Sequence, residues 1–357
     1  MDKKEVFEIR KLMKAEQSVF TKIRGCYVSA ADKRIISKNK DAFLSLPETE
    51  ETKYLEICKK ALSGKLEKVL YNVEFPVKEE QEGGAQKLLY ELWKCGLKND
   101  QLLDEFYNRV IQCYQCKENY YIIMMYGVYD IPGKSSDDAS DESFPFIQCC
   151  ICPVALSDAS LGYQETKQRI GDCTRDWVVG MPENGFLFPL FNDRSADIHG
   201  VLYYCKNEKG LTDGLIDNFL KCVQPMSAKA QKETFTAMVE EAFGDKCEMQ
   251  TVVNIQESLE ELEDEQKLSS EMAKEIFESC GAEKDALKNL DGLETEIAVS
   301  NISEAGCKIK ADNVTIQIDL NTALQMEEKM IHRRRCLIVP LEGEVKINGI
   351  AVTMRRK

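Results

Sequence analysis

With only two histidines in 357 residues, each is worth locating, because imidazole changes charge near neutral pH. His199 closes the string Phe191-Asn-Asp-Arg-Ser-Ala-Asp-Ile-His199, where Asp193, Arg194, Asp197 and His199 collect between two apolar stretches. Asp172, Arg175 and Asp176 precede them and could approach the same edge. A carboxylate beside imidazole can orient a general base, and two carboxylates with an imidazole can hold a divalent cation. Asp193, Asp197 and His199 are therefore the candidate catalytic set for a metal-assisted or general-base hydrolase-like reaction. The alternative is a strand-connecting loop whose Asp and Arg side chains pair and cap backbone amides.

A second cluster, His332-Arg333-Arg334-Arg335, lies beside a predicted strand. Together with Arg355, Arg356 and Lys357 it could contact phosphates. No aromatic platform accompanies it, which argues against sequence-specific binding of single strands. Charge distribution sets this region apart. Residues 1–40 hold eleven Lys/Arg against five Asp/Glu and residues 329–357 hold eight against two, each a net of +6. The chain totals −14, so residues 41–328 carry −26. Such a body repels polyanions and leaves the ends available for them. Alternatively, each basic end docks on the acidic middle. Arg333, Arg334, Arg335, Arg355 and Arg356 are the candidate nucleic-acid contacts, with DNA or another protein as the partner.

Fifteen cysteines are scattered, odd in number and mostly within apolar runs. They read as reduced, buried thiols rather than a disulfide framework. Cys113 and Cys116 have the spacing of a zinc half-site or a redox dithiol, but the second cluster zinc would need, Cys149-Cys150-Ile-Cys152, reads as a buried strand with Cys150 and Cys152 on one face. Asp137, Asp138, Asp141 and Glu142 lack the central Gly and terminal Glu of a calcium loop. No cofactor or metal site is expected. The chain also lacks a Gly-rich phosphate loop, a Gly-x-Ser-x-Gly elbow, a His-Glu-x-x-His motif and the kinase set.

Elements must position these groups. Helices are expected at Asp2–Lys14, Glu50–Leu62, Ala85–Cys95, Asp100–Cys113, Leu215–Val223, Ser227–Phe243, Val252–Lys267 and Ser270–Cys280. Strands are expected at Val19–Ser29, Arg34–Ser37, Val69–Phe75, Tyr120–Ile131, Phe144–Leu156, Phe186–Phe191 and Ile198–Lys206, with Arg175–Val179 as strand or short helix. Lys78–Gly84 reads as an exposed loop, Lys134–Glu142 as a mobile one and Lys284–Glu296 as a linker. From Cys307 the pattern turns to period two. Lys308–Asp319 forms a hairpin around Asp312-Asn313, and Arg335–Pro340 pairs with Glu344–Val352 around Glu342-Gly343. No internal repeat appears.

An apolar fraction of 43% and a charged fraction of 30% are those of a globular protein. No run approaches the ~20 apolar residues of a membrane span, and Met1-Asp2-Lys3-Lys4-Glu5 does not open a secretory signal. A cytoplasmic protein is expected. The class is α+β: an N-terminal mixed sheet with flanking helices over 1–225, a helical segment over 226–296 and a small β unit over 297–357.

Several strings in series carry a family resemblance: Gly25-Cys-Tyr-Val28, Ala42-Phe-Leu-Ser-Leu-Pro47, Asn72-Val-Glu-Phe-Pro76, Tyr129-Asp-Ile-Pro-Gly-Lys134, Arg175-Asp-Trp-Val178, Gly185-Phe-Leu-Phe-Pro189 and Phe191-Asn-Asp-Arg-Ser195. Over essentially its whole length the chain resembles the clostridial domain-of-unknown-function family four-three-one-seven. That resemblance implies a cytoplasmic protein of anaerobic Firmicutes and brings no activity with it. A second likeness is architectural, to YejK-type nucleoid-associated proteins, which are also acidic, also end in a small β unit and associate with DNA. The expectation is a binding protein of nucleic-acid-associated type, with the hydrolase-like reading as the alternative.

Overall fold

The computed structural model describes all residues except 15–17, 82, 132–142, 194, 245–246, 264–265, 291–295, 305, 313, 348–349 and 353–357. The expected loop Lys134–Glu142, Arg194 and the basic tail Arg355-Arg356-Lys357 lie outside the described residues. Two compact units are present, Met1–Ser227 and Ala228–Lys357.

The first unit opens with α1 (Lys3–Lys11), started by a capping box between Asp2 and Glu5. There follow β1 (Phe20–Ser29), β2 (Arg34–Ala42), α2 (Glu48–Ala61), β3 (Leu70–Glu74), α3 (Ala85–Lys94) and α4 (Asp100–Cys113). Next come the long strands β4 (Asn119–Asp130) and β5 (Ser143–Leu156), then the short β6 (Leu161–Gln164), β7 (Arg169–Asp172) and β8 (Trp177–Val179). β9 (Asn184–Phe188), β10 (Leu190–Asn192), β11 (Ser195–Asp197) and β12 (Gly200–Cys205) complete the strands. The main sheet runs β2-β1-β4-β5-β9-β12-β3, and β8 pairs with the end of β5. Where the sequence suggests a mixed sheet, every described ladder is antiparallel.

Helices cover both faces of this sheet, which explains why β4 and β5 read as continuous apolar runs. Period-two alternation divides their side chains between two cores. Ile122 and Met124 of β4, with Ile147 and Cys149 of β5, join α3, α4 and the turn at Leu215–Leu220. Ile123, Met125, Cys150 and Cys152 point the other way, into α1 and α2. Phe106 of α4 is fully buried in the first core, with ring centroids 5.3 Å from Phe219 and 6.3 Å from Phe186.

Several local expectations change. Lys78–Gly84 is not simply exposed: Val77–Glu80 forms a 3-10 turn, and the buried Glu79 accepts the Ala85 amide at 2.9 Å. Gly84, at the N-cap of α3, has no side chain to serve that donor, so Glu79 does. Leu215–Leu220 winds as a π-helix and ends where Lys221 turns left-handed, short of Val223.

The second unit holds α5 (Ala228–Phe243), α6 (Met249–Glu260), β13 (Lys267–Leu268), α7 (Ser270–Ser279), α8 (Lys284–Leu287), β14 (Ile297–Ala298) and α9 (Val299–Ile302). The acid-rich helix stops at Glu260 rather than Lys267, because carboxylates accumulate at the negative end of its dipole. The expected linker is partly structural, since Leu287 and Leu290 pack into the core of α5 and α7. The unit ends with β15 (Cys307–Ala311), β16 (Val314–Ile318), α10 (Leu320–Leu324), β17 (Glu327–Ile331), β18 (Arg334–Ile338), β19 (Val345–Ile347) and β20 (Ile350–Val352). β15 and β16 pair as expected. β18 instead pairs backwards with β17, across a two-residue turn at His332 and Arg333, both at positive φ (49° and 62°).

Phe106→Ala should cost about 3–5 kcal/mol in urea denaturation, as expected for emptying a packed aromatic site. Val77→Ala, at an exposed position, should stay within roughly 0.5 kcal/mol of the parent.

Candidate functional site

Asp193 is the turn residue between β10 and β11, at φ 48°. Asp197 uses Oδ1 to accept the backbone amide of His199 at 3.0 Å, an Asx-type contact. The His199 ring faces elsewhere: its Nδ1 lies 3.1 Å from Glu80 Oε1, with both side chains substantially exposed. Its carbonyl accepts the Phe75 amide, closing the edge beside β3. Burial lowers the pKa of the Met1 ammonium, and Glu5 and Asp2, then to a smaller extent Asp197 and Asp193, oppose that shift. Asp172, Arg175 and Asp176 belong to a different feature: the Asp172 carbonyl accepts from Gln164, Arg175 donates to the Ser157 carbonyl, and the Asp176 amide donates to Ser157 Oγ.

The basic cluster sits on the β17–β18 hairpin. Arg333 at its turn and Arg334 at the start of β18 are exposed, and Arg335, also exposed, forms a two-pronged pair with Glu328. The guanidinium holds the Glu328 carboxyl below its usual range, and Lys329 pairs with Glu327. An open hollow of about 610 Å³ lies against this hairpin, lined by Met249, Met326 and Met330 as well as Lys329 and Arg335. Part of the N-terminal positive charge also docks internally: Lys38 and Lys40 of the edge strand β2 pair with Asp104 and Asp100 of α4.

The buried cysteines, Cys149, Cys150 and Cys152 among them, behave as packing groups, whereas Cys173 and Cys247 are exposed. Burial drives the Cys149 and Cys152 thiols upward, and a hydrogen bond with Cys58 is the first cause of the same shift in Cys150. Burial also raises Cys113 and Cys116. A reactive or metal-binding thiolate needs the opposite shift. Among the described residues no His/Cys/Asp/Glu group has metal-holding geometry.

Two features escape the sequence analysis. The first is an interior polar network. Asn184 accepts from the Tyr114 hydroxyl at 3.0 Å and donates to Tyr203 and to the Gly210 carbonyl. Beside it Asp213, only 8% exposed, accepts the Leu215 amide through Oδ1, while Oδ2 is buried with no hydrogen-bond partner. Desolvation pushes this carboxyl up to about 7. Nothing in the local sequence Leu-Thr-Asp213-Gly distinguishes it from an ordinary turn.

The second is a surface. Val154–Leu156 pair with Val179–Trp177, and Leu161–Gln164 pair with Asp172–Arg169. These are two parts of one unbroken register, 154 opposite 179 through to 164 opposite 169. Ser157 N to Asp176 O (2.8 Å) and Cys173 N to Ser160 O (3.0 Å) bridge the polar waist between them. The result is a two-stranded ribbon roughly 35 Å long at ~3.3 Å per residue. No residue from 155 to 181 is buried. Yet Leu161 is 73% exposed, Tyr163 62%, Ile170 63% and Trp177 59%. The signal available in the sequence was Leu161, Tyr163, Ile170 and Trp177 interleaved with charges, without the periodicity of a buried strand.

The carboxyl of Asp213 ionises at an ordinary 3.8 when unfolded and near 7 when folded. Folding therefore favours its protonated form, and the stability this lends at low pH is lost as pH rises from about 4 through 7. Asp213→Asn keeps the acceptor for Leu215 and removes that loss. Its unfolding free energy should gain on the parent between pH 5 and pH 8, by on the order of 1–3 kcal/mol. Parallel stability–pH curves for the two proteins would contradict the assignment.

No helix among the described residues is long and apolar enough to cross a membrane. No curated protein and no solved structure matches the chain. A family model does match, over residues 1–350, and the strings that carry the resemblance fall within that span. The chain belongs to the family described as Domain of unknown function (DUF4317).

Proposed function

We propose that this is a non-enzymatic binding protein that acts through surface contact, and that the ribbon from Val154 to Val179 is its contact surface. The observation behind this reading is the exposure of Leu161, Tyr163, Ile170 and Trp177 on an element with no buried residue between 155 and 181. Two-stranded ribbons are marginal alone in water, and clustered apolar exposure is characteristic of interaction sites. A protein partner suits it better than a polyanion, because the ribbon carries three cations against four acids. The general-base reading has less support, since His199 pairs with Glu80 and Asp197 is engaged with backbone. The reading places the protein in the cytoplasm, where fifteen free cysteines, Cys149 and Cys150 among the buried ones, remain reduced.

At nanomolar protein, an environment-sensitive apolar dye should bind the folded chain, and Trp177→Lys combined with Ile170→Lys should remove most of the signal. A dye signal indifferent to both changes would eliminate the ribbon as a contact surface.

A nucleic-acid-associated role is the second reading, favoured by the exposure of Arg333 and Arg334 at a hairpin turn. With Arg335 held by Glu328, two described guanidinium groups remain for phosphate. Duplex binding in a filter assay should then be weak, with a log–log salt slope of about −2 at ~0.9 per phosphate neutralised. Arg333→Ala with Arg334→Ala should abolish it. Retention of binding by that double variant, or none at low salt in the parent, removes this reading.

A further inference from the structure

We infer that the partner of the ribbon is a second copy of this chain, two ribbons meeting across a two-fold axis. This rests on the reading of the ribbon as a contact surface and names its occupant. Three observations favour a like chain.

The first is charge. The whole chain carries −14, and residues 154–179 carry only −1 of it. Two copies approaching through most of their surface meet like charge, which disfavours contact. At the ribbon they do not. Its unbroken register sets Asp158 opposite Arg175 at the waist, and a two-fold operation presents the same balanced pair to its own image.

The second is the placement of apolar groups. Residues directly opposite in an antiparallel pair share a face, and faces alternate along the strand. Leu156, Trp177 and Val179 therefore lie on one side of the pleat, and Tyr163 and Ile170 on the other. A ribbon apolar on both sides is covered by being clasped. Two ribbons crossing about the two-fold axis do this when each lies between its partner's ribbon and its partner's body, and the contact closes at two copies.

The third is area. A large aromatic side chain presents roughly 150–250 Å² in full, and the ribbon's large apolar side chains beyond the buried Val154 are between 37% (Leu156) and 73% (Leu161) exposed. Together they offer on the order of 700 Å², against about 800 Å² per partner in a standard interface. The ribbon alone thus comes close to what a specific dimer needs.

Sedimentation equilibrium of the full chain tests the inference. The parent should show a monomer–dimer equilibrium in the micromolar range. Trp177→Lys with Ile170→Lys should weaken it at least tenfold without moving the thermal unfolding midpoint, because both side chains are more than half exposed. Val77→Lys, which charges an exposed apolar residue off the ribbon, should leave the dimer unchanged. With a benzoylphenylalanine in place of Tyr163, irradiated mixtures of light and heavy isotope-labelled chains should yield light–heavy crosslinks to ribbon residues. A parent that remains monomeric at about 0.1 mM, a dimer indifferent to the two lysines, or crosslinks confined to single chains would each overturn it. If the parent is monomeric while the apolar dye still depends on Trp177 and Ile170, the second copy falls and the contact surface stands. If the dye is indifferent as well, both fall.

Discussion

Burial of both faces of β4 and β5 is the constraint from which the rest of the first unit follows. A strand covered on one side can alternate apolar with polar residues, but one covered on both sides must be apolar throughout. Ile122 and Ile123, or Cys149 and Cys150, are neighbours in the chain and belong to different cores. The small thiols suit positions where helices approach the sheet closely, and burial keeps them protonated. The same requirement for helices on both sides recruits α1 and α2 to one face and α3, α4 and the Leu215–Leu220 turn to the other.

Asn184 is tied to Tyr114, Tyr203 and Gly210. Asp213 has one buried oxygen without a hydrogen-bond partner, as do Gln148, Tyr107 and Tyr121, and in Asp213 desolvation moves the carboxyl toward the neutral form. The titratable residues that look most like a catalytic set, Asp193, Asp197 and His199, are divided at the edge among a turn, a backbone cap and Glu80. What the sheet cannot cover is the extension of β5 beyond β4, and there the chain carries its apolar groups into solvent.

Charge follows a related logic. β2 is an edge strand, and its lysines both discourage edge-to-edge pairing and reach the acids of α4. In the second unit the β17–β18 hairpin sets Glu328 opposite Leu337 and Arg335 opposite Met330, so Glu328 and Arg335 are diagonal neighbours on one face. Of three consecutive exposed arginines, Arg335 is thereby paired, because diagonal neighbours on one face of a hairpin meet irrespective of their distance in the chain.

The sequence by itself determined the α+β class, the long apolar strands, the two hydrophobic helices α3 and α4 and the β15–β16 hairpin, because each is written in a local period of residue types. Resemblance in short strings also sufficed for the family. Pairing partners were decided only by the tertiary structure: β18 turned back on β17, Glu79 buried to cap α3, His199 directed at Glu80, Arg335 matched to Glu328. So was the ribbon, whose exposure depends on β4 ending before β5 does. Periodicity reports which face of an element is apolar, whereas the neighbour that covers the face, or fails to, is fixed by residues distant in the chain.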